Sequence, residues 1–265
     1  PVLIPGLKQV SADADPEVRR AAFEKLVQFH DETLQGYFLA ALKDQSPQIR
    51  ALIPPAMARF KEPDVLPSLI GAIDDPEVTV RIVVFEALGT FKDPALIPHL
   101  VRGLRAEENS VREKTKEALC LINEAEAAPS LISAWLSEKN STARGVLQEI
   151  LHKISEEPFF ESVYPMLVKH PEKSDERSSI IETFFQYKQD RSLHFLEFLA
   201  ERFKAGDKGA YKLYTEFWEE VGLGREAVRK TKGFDAIEEY ELGKTEQFVP
   251  KAATAILGLF GLAIV

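Results

Sequence analysis

Four arginines recur at a constant interval of 31 residues, Arg19, Arg50, Arg81 and Arg112, each following a β-branched apolar residue. Carboxylates sit a few positions upstream of each, at Asp15, Asp44, Asp75 and Glu108. A regular row of guanidinium groups can do one of two things. It can offer donors to an anionic partner, or it can tie neighbouring segments together through charge-assisted hydrogen bonds to carboxylates and carbonyls. The second is expected here. Each arginine falls one turn into a helix and each carboxylate in the turn before it, so stacking the segments would join them into a continuous ladder that braces the loops. The remaining reactive side chains offer less. The five histidines, His30, His99, His152, His170 and His194, fall singly in separate segments, and no His-x-x-x-His pair occurs. Cys120, the only cysteine, lies between Leu119 and Leu121 and reads as a buried thiol. No phosphate-binding loop, nucleophile elbow or Cys-x-x-Cys pair is present. No catalytic, cofactor-binding or metal-binding residue is therefore expected.

The elements that would position the ladder follow the same period. A second series runs Pro5, Gly36, Pro67, Pro98 and Pro129, with Leu7, Phe38, Leu69, Leu100 and Leu131 two places on. Each repeat begins with a short helix, followed by an Asp-, Ser- and Pro-rich turn suited to capping the next one. The second helix places apolar residues at −1, +3, +7 and +10 from its arginine: Val18, Ala22, Leu26 and Phe29 in the first repeat, Val80, Val84, Leu88 and Phe91 in the third. Only a neighbouring repeat can bury such a stripe, so the pattern predicts an all-α solenoid of six to seven helical hairpins. Pro54-Pro55 falls inside the second helix of repeat two and predicts a bend there. After Arg112 the phase slips, resuming at Arg144 and again at Arg177, and aromatic residues accumulate between Phe159 and Trp218.

The segments DPEVRRAAFEKL and DPEVTVRIVVFEALGTFKDPALIPHLVRGL, beginning at Asp15 and Asp75, resemble HEAT repeats. The similarity is to the short bacterial kind also found in phycobilin lyases. It is close over residues 1–155 and loose over 156–222. It implies a helical-hairpin fold and, as the usual role in that family, a protein-binding scaffold; some members are enzymes. Iron hydroxylases of this kind carry His-Glu pairs in several repeats, whereas this chain has no His-Glu dipeptide.

The chain has 265 residues and a formal charge of −9, which argues against nucleic acid as its ligand. Residues 1–222 read as the solenoid, regular over 1–155 and divergent over 156–222. Residues 223–250 mix both charges with glycines and read as a linker, with room for a short helix around Asp235–Tyr240. Residues 251–265 form an apolar tail in which Ile256, Leu257, Leu259, Phe260 and Leu262 surround a helix instead of striping one side. With Lys244 and Lys251 before it, the tail reads as the start of a transmembrane helix, the solenoid lying in the cytoplasm. The composite reading is a non-catalytic scaffold or regulatory domain that binds a protein partner along its surface and attaches to a membrane through its C-terminal end, without a cofactor. Two alternatives stand beside it: the regulatory front part of a larger membrane enzyme or transporter, and a tetrapyrrole lyase-type enzyme.

Overall fold

The computed structural model describes residues 3–60, 64–169, 174–186 and 188–241, and these contain helices and turns with no strand. The fold is an all-α solenoid. It divides into two compact units, Pro1–Phe159 and Phe160–Val265.

The first unit contains five hairpins. They are α1 (Leu3–Val10) with α2 (Pro16–Leu26), α3 (Gln35–Ala41) with α4 (Pro47–Met57), α5 (Val65–Gly71) with α6 (Val78–Gly89), α7 (Ile97–Gly103) with α8 (Asn109–Cys120), and α9 (Glu124–Ser137) with α10 (Ser141–Lys153). Pro16 and Pro47 open their helices at a position with no intrahelical N–H bond to lose. The Asp15 carboxylate accepts from the Glu17 N–H at 2.9 Å, and the Asn140 side chain accepts from the Ala143 N–H at 3.0 Å. α3, α5 and α7 are too short to persist alone, so packing holds them. That packing follows the period. Ile49, Ile53 and Met57 on α4, Val80, Val84 and Leu88 on α6, and Val111, Thr115 and Leu119 on α8 are all 0–1% exposed. The polar member, Thr115, donates its hydroxyl to the Val111 carbonyl at 2.7 Å, which removes the cost of burying it. α4 runs unbroken through both prolines, with Pro54 buried and Pro55 exposed. Cys120 differs from the sequence reading. It is exposed, as is Leu121, because the buried stripe passes from Leu119 to Ile122 and the two residues between them face outward at the helix end.

The second unit takes in most of α11 (Glu156–Lys169), then α12 (Asp175–Phe184), α13 (Gln189–Lys204), α14 (Lys208–Glu220) and α15 (Arg225–Arg229). Its core is aromatic. Phe195 meets Phe217 at 4.9 Å, Phe185 at 5.0 Å and Phe160 at 5.1 Å between ring centroids, the edge-on and tilted geometries that aromatic quadrupoles favour. In the stretch expected to be a charged linker, residues 223–241 hold α15, which the sequence does not suggest, and a helical stretch over 234–241, where a short helix around Asp235–Tyr240 is expected. Their few apolar residues suffice to dock them. Val228 and Ile237 are buried, and Tyr240 packs against Phe203 and Tyr211 at 5.0 and 4.8 Å.

Candidate protein-binding surface

Each ladder arginine uses one edge of its guanidinium on its own loop and, in three of the four, the other edge on the next repeat. Arg50 donates from Nη1 to the carbonyls of Asp44 and Gln45 at 2.9 and 3.1 Å. Its Nε and Nη2 grip the Asp75 carboxylate at 2.7 and 2.8 Å. Arg19 does the same with the carbonyls of Asp13 and Ala14 at 3.0 Å and with Asp44 at 2.9 and 2.8 Å. Arg81 keeps the loop bonds, to Asp75 and Pro76 at 2.8 and 3.1 Å, but reaches Glu108 at 2.7 Å. Position 106, 31 residues after Asp75, is an alanine, so Glu108 takes its place. Arg112 braces the carbonyls of Ala106 and Glu107 and turns its remaining edge to Asn109 at 3.1 Å, within its own repeat. Asp15 pairs with no ladder arginine. It caps α2, and the residue in register with Asp44 and Asp75 is Asp13, which accepts from the Asp15 N–H at 2.8 Å. At the fifth repeat Arg144 stacks over the Trp135 ring at 4.6 Å, while Arg105 engages the buried Glu138 at 2.9 Å.

These contacts set the acid response. The hydrogen bonds from Arg19 hold the Asp44 carboxyl below its ordinary value against the opposing effect of burial, with help from the Ser46 N–H. For Asp75, burial pushes upward, and the Arg50 hydrogen bond and the Glu77 N–H outweigh it. A carboxyl depressed in the folded state binds fewer protons there than in the unfolded chain. Its contribution is present at neutral pH and is lost as the pH falls below about 4. We expect Asp44→Asn with Asp75→Asn to lower the melting temperature at pH 7 and to flatten its fall in acid. An unchanged acid slope would show that the pairs contribute nothing.

Among the clefts of this unit, three are formed by described residues close to the ladder and its helices. The largest, about 720 Å³, lies between α3 and α5, with Leu39, Pro67 and Gly71 on its walls and Lys43 and Asp64 at its margin. A second, of about 390 Å³, brings together Arg81, Arg102 and Arg105. Their charges are answered by Glu108, Asp74 and Glu138, so it presents no net site for an anion. The third, about 430 Å³, lies between α7 and α9 and is bordered by Pro98, Ser130 and Ser133. No group of three or more His, Cys, Asp or Glu among the described residues is placed to hold a metal ion.

The feature that departs from a solvated helix surface lies on α4 and α6. The second helices stack in register, so residues at equal distance from the ladder arginine lie side by side. One and two places on, α2 shows Arg20 and Ala21, and α8 shows Glu113 and Lys114; α4 shows Ala51 and Leu52, and α6 shows Ile82 and Val83. Those four apolar residues are half-buried, and Pro55 beside them is exposed. The ladder drew attention in the sequence and these residues did not. The available signal was that α6 reads VTVRIVVFEALG, apolar on both sides where a surface helix needs only one apolar stripe. The tail residues Ile256, Leu257, Leu259, Phe260 and Leu262 lie outside the described residues, as do His170 and Tyr187. Among the described residues no helix is long and apolar enough to cross a membrane.

A family model described as HEAT repeats matches residues 3–82 and 67–152. No curated protein matches the sequence. Among solved structures, the chain is similar to the complex of CpcE and CpcF of phycocyanin lyase from Nostoc sp., with 16% identity, a TM-score of 0.42, and 81% of this chain and 93% of that one covered. Human deoxyhypusine hydroxylase in complex with glycerol is 16% identical with a TM-score of 0.40, over 97% of this chain and 96% of that one. An engineered protein is 12% identical with a TM-score of 0.41, over 87% and 72%.

Proposed function

The chain belongs to the HEAT-repeat family, and from that premise we propose that it is a protein-binding scaffold whose contact surface is the α4–α6 face. Repeats of this family typically mediate protein interaction. The observation that carries the assignment to this face is the apolar strip Ala51, Leu52, Pro55, Ile82 and Val83, set between Arg20 on α2 and Glu113 and Lys114 on α8. Solvated surfaces rarely gather branched apolar side chains without a partner to cover them. The arginine ladder is assigned the other task, fixing the spacing of the helices that present the strip. Its guanidinium groups are occupied by carbonyls and carboxylates of the chain itself.

Photo-crosslinking tests the reading. A benzoylphenylalanine placed at Val83 or Leu52 is expected to capture one and the same partner in cells. The same probe at Tyr37, exposed on a first helix, is expected to capture none. Capture from Tyr37 with silence at Val83 and Leu52 would move the surface to the first helices.

A further inference from the structure

The α4–α6 face also indicates what kind of partner it takes, an inference that rests on the preceding reading. Five places after the ladder arginine the second helices show Glu24, Pro55, Glu86 and Glu117, and one place after it α8 shows Glu113. The apolar strip is therefore bordered by carboxylates. The cations near them are already engaged, Arg20 by Glu17 and Glu24 and Lys114 by Glu117 at 2.8 Å. Glu86, exposed on the same face of α6 as Ile82 and Val83, and Glu113, exposed beside them on α8, close no salt bridge among the described residues. Lys114 and Lys116 lie near enough to Glu86 and Glu113 to feel their charge, but each is paired closer at hand, with Glu117 and Glu149, so the border keeps a surplus of carboxylates. Such a border beside an apolar strip repels phosphate backbones and draws cationic side chains.

The backbone supplies a further acceptor. Pro55 has no N–H, so the Ala51 carbonyl lacks the helical donor four residues on, and Pro55 lies exposed next to the strip. One freed carbonyl on a helix cannot seat a strand, which needs a row of alternating donors and acceptors, and the described residues contain no sheet edge to extend. It can accept one hydrogen bond from a lysine or arginine. The strip spans two neighbouring helices, whose axes lie about 8–10 Å apart in packed pairs, a width that accommodates the apolar stripe of one further helix.

We propose that the α4–α6 face binds an amphipathic helix of a partner protein. Its apolar stripe covers Leu52, Ile82 and Val83, and its flanking lysines or arginines meet Glu86, Glu113 and the Ala51 carbonyl.

The test uses the full chain and two fluorescently labelled synthetic helices of identical apolar stripe, one flanked by lysines and the other by glutamates, titrated by anisotropy. The lysine peptide is expected to bind at least about tenfold more tightly, and to weaken as salt rises. Glu86→Lys with Glu113→Lys is expected to reverse the preference, and Val83→Asp to abolish binding of both peptides. Equal or tighter binding of the glutamate peptide that Val83→Asp still abolishes overturns the charge assignment and leaves the surface itself standing. Binding indifferent to Val83→Asp overturns the inference and counts against the surface as well. No binding of either peptide overturns the inference alone, since the crosslinks at Val83 and Leu52 judge the surface independently.

Discussion

Replacing Arg177 by alanine is expected to destabilise the second unit by about 3–5 kcal/mol, the cost of removing one member of a buried ion cluster. Arg177 on α12 is only 3% exposed. It donates to Glu216 and Glu220 on α14 at 3.1 Å and to the Leu167 carbonyl on α11 at 3.3 Å, joining three helices. Alanine would take the buried guanidinium away from two half-buried carboxylates, leaving Glu216 to the exposed Lys212 at 3.5 Å, and the desolvation already incurred would be less well offset. Arg177→Lys is expected to recover little, because one ammonium cannot reach three acceptors spread over a planar fork. Arg177→Met combined with Glu216→Gln and Glu220→Gln is expected to recover much of the loss, since it removes the carboxylate charges along with the guanidinium that offset them. Urea unfolding of the three variants beside the unaltered chain checks this. A loss under about 1 kcal/mol for Arg177→Ala would mean that water solvates the cluster as well as the protein does.

Gly103→Ala is expected to cost about 1–3 kcal/mol, because a methyl group there has nowhere to go. Its Cβ would lie 2.3 Å from the Thr115 hydroxyl oxygen and 2.5 Å from Cζ of Phe85. Both neighbours are almost wholly buried, so neither can swing into solvent to make room. The second and third repeats have alanine at this register position, Ala41 and Ala72, and the first has Val10, whereas at Gly103 the ring of Phe85 and the Thr115 hydroxyl press too close for a methyl group. Gly145→Ala is the matched control. It lies inside α10 with nothing within 4 Å of its new Cβ, so the change is expected to stabilise by about 0.5–1 kcal/mol through helix propensity. Thermal melts of the two variants should move in opposite directions. A neutral Gly103→Ala would mean that α7 shifts freely against α6 and α8.

The period of 31 was enough to place the core of the first unit, because the same contact recurs at each step and one residue type satisfies it each time. Ile49, Val80 and Val111 hold equivalent buried positions for that reason. Legibility falls where a role can be filled from a different position. Asp15 misleads because a cap and a ladder acceptor use the same residue types in one turn, whereas Glu108, legible as a ladder carboxylate, serves two residues out of register because an ion pair tolerates that slack in a long side chain. Residues 223–241 look like a linker because their burial needs only Val228 and Ile237, too few to create a periodic signal. Cys120 looks buried because apolar neighbours in sequence point to different sides of a helix end. The α4–α6 strip is hidden for the opposite reason. Apolar residues in a helix are ordinarily read as core, and only comparison across repeats reveals that Ile82 and Val83, with Ala51 and Leu52 beside them, are flanked by Arg20 on α2 and by Glu113 and Lys114 on α8.

The central claim is a division of labour, ladder for spacing and strip for recognition. The most direct test measures melting temperature and affinity for the partner captured at Val83, in the full chain, for Arg50→Ala and Val83→Asp. Arg50→Ala removes a donor from Asp75 and two loop carbonyls, so it is expected to lower stability by about 1–3 kcal/mol with affinity unchanged well below the melting temperature. Val83→Asp places a charge on a half-exposed site, so it is expected to leave the melting temperature within a few degrees and to abolish binding. The reverse pattern, binding lost with Arg50→Ala at full stability and retained with Val83→Asp, would contradict the account and make the ladder the recognition surface.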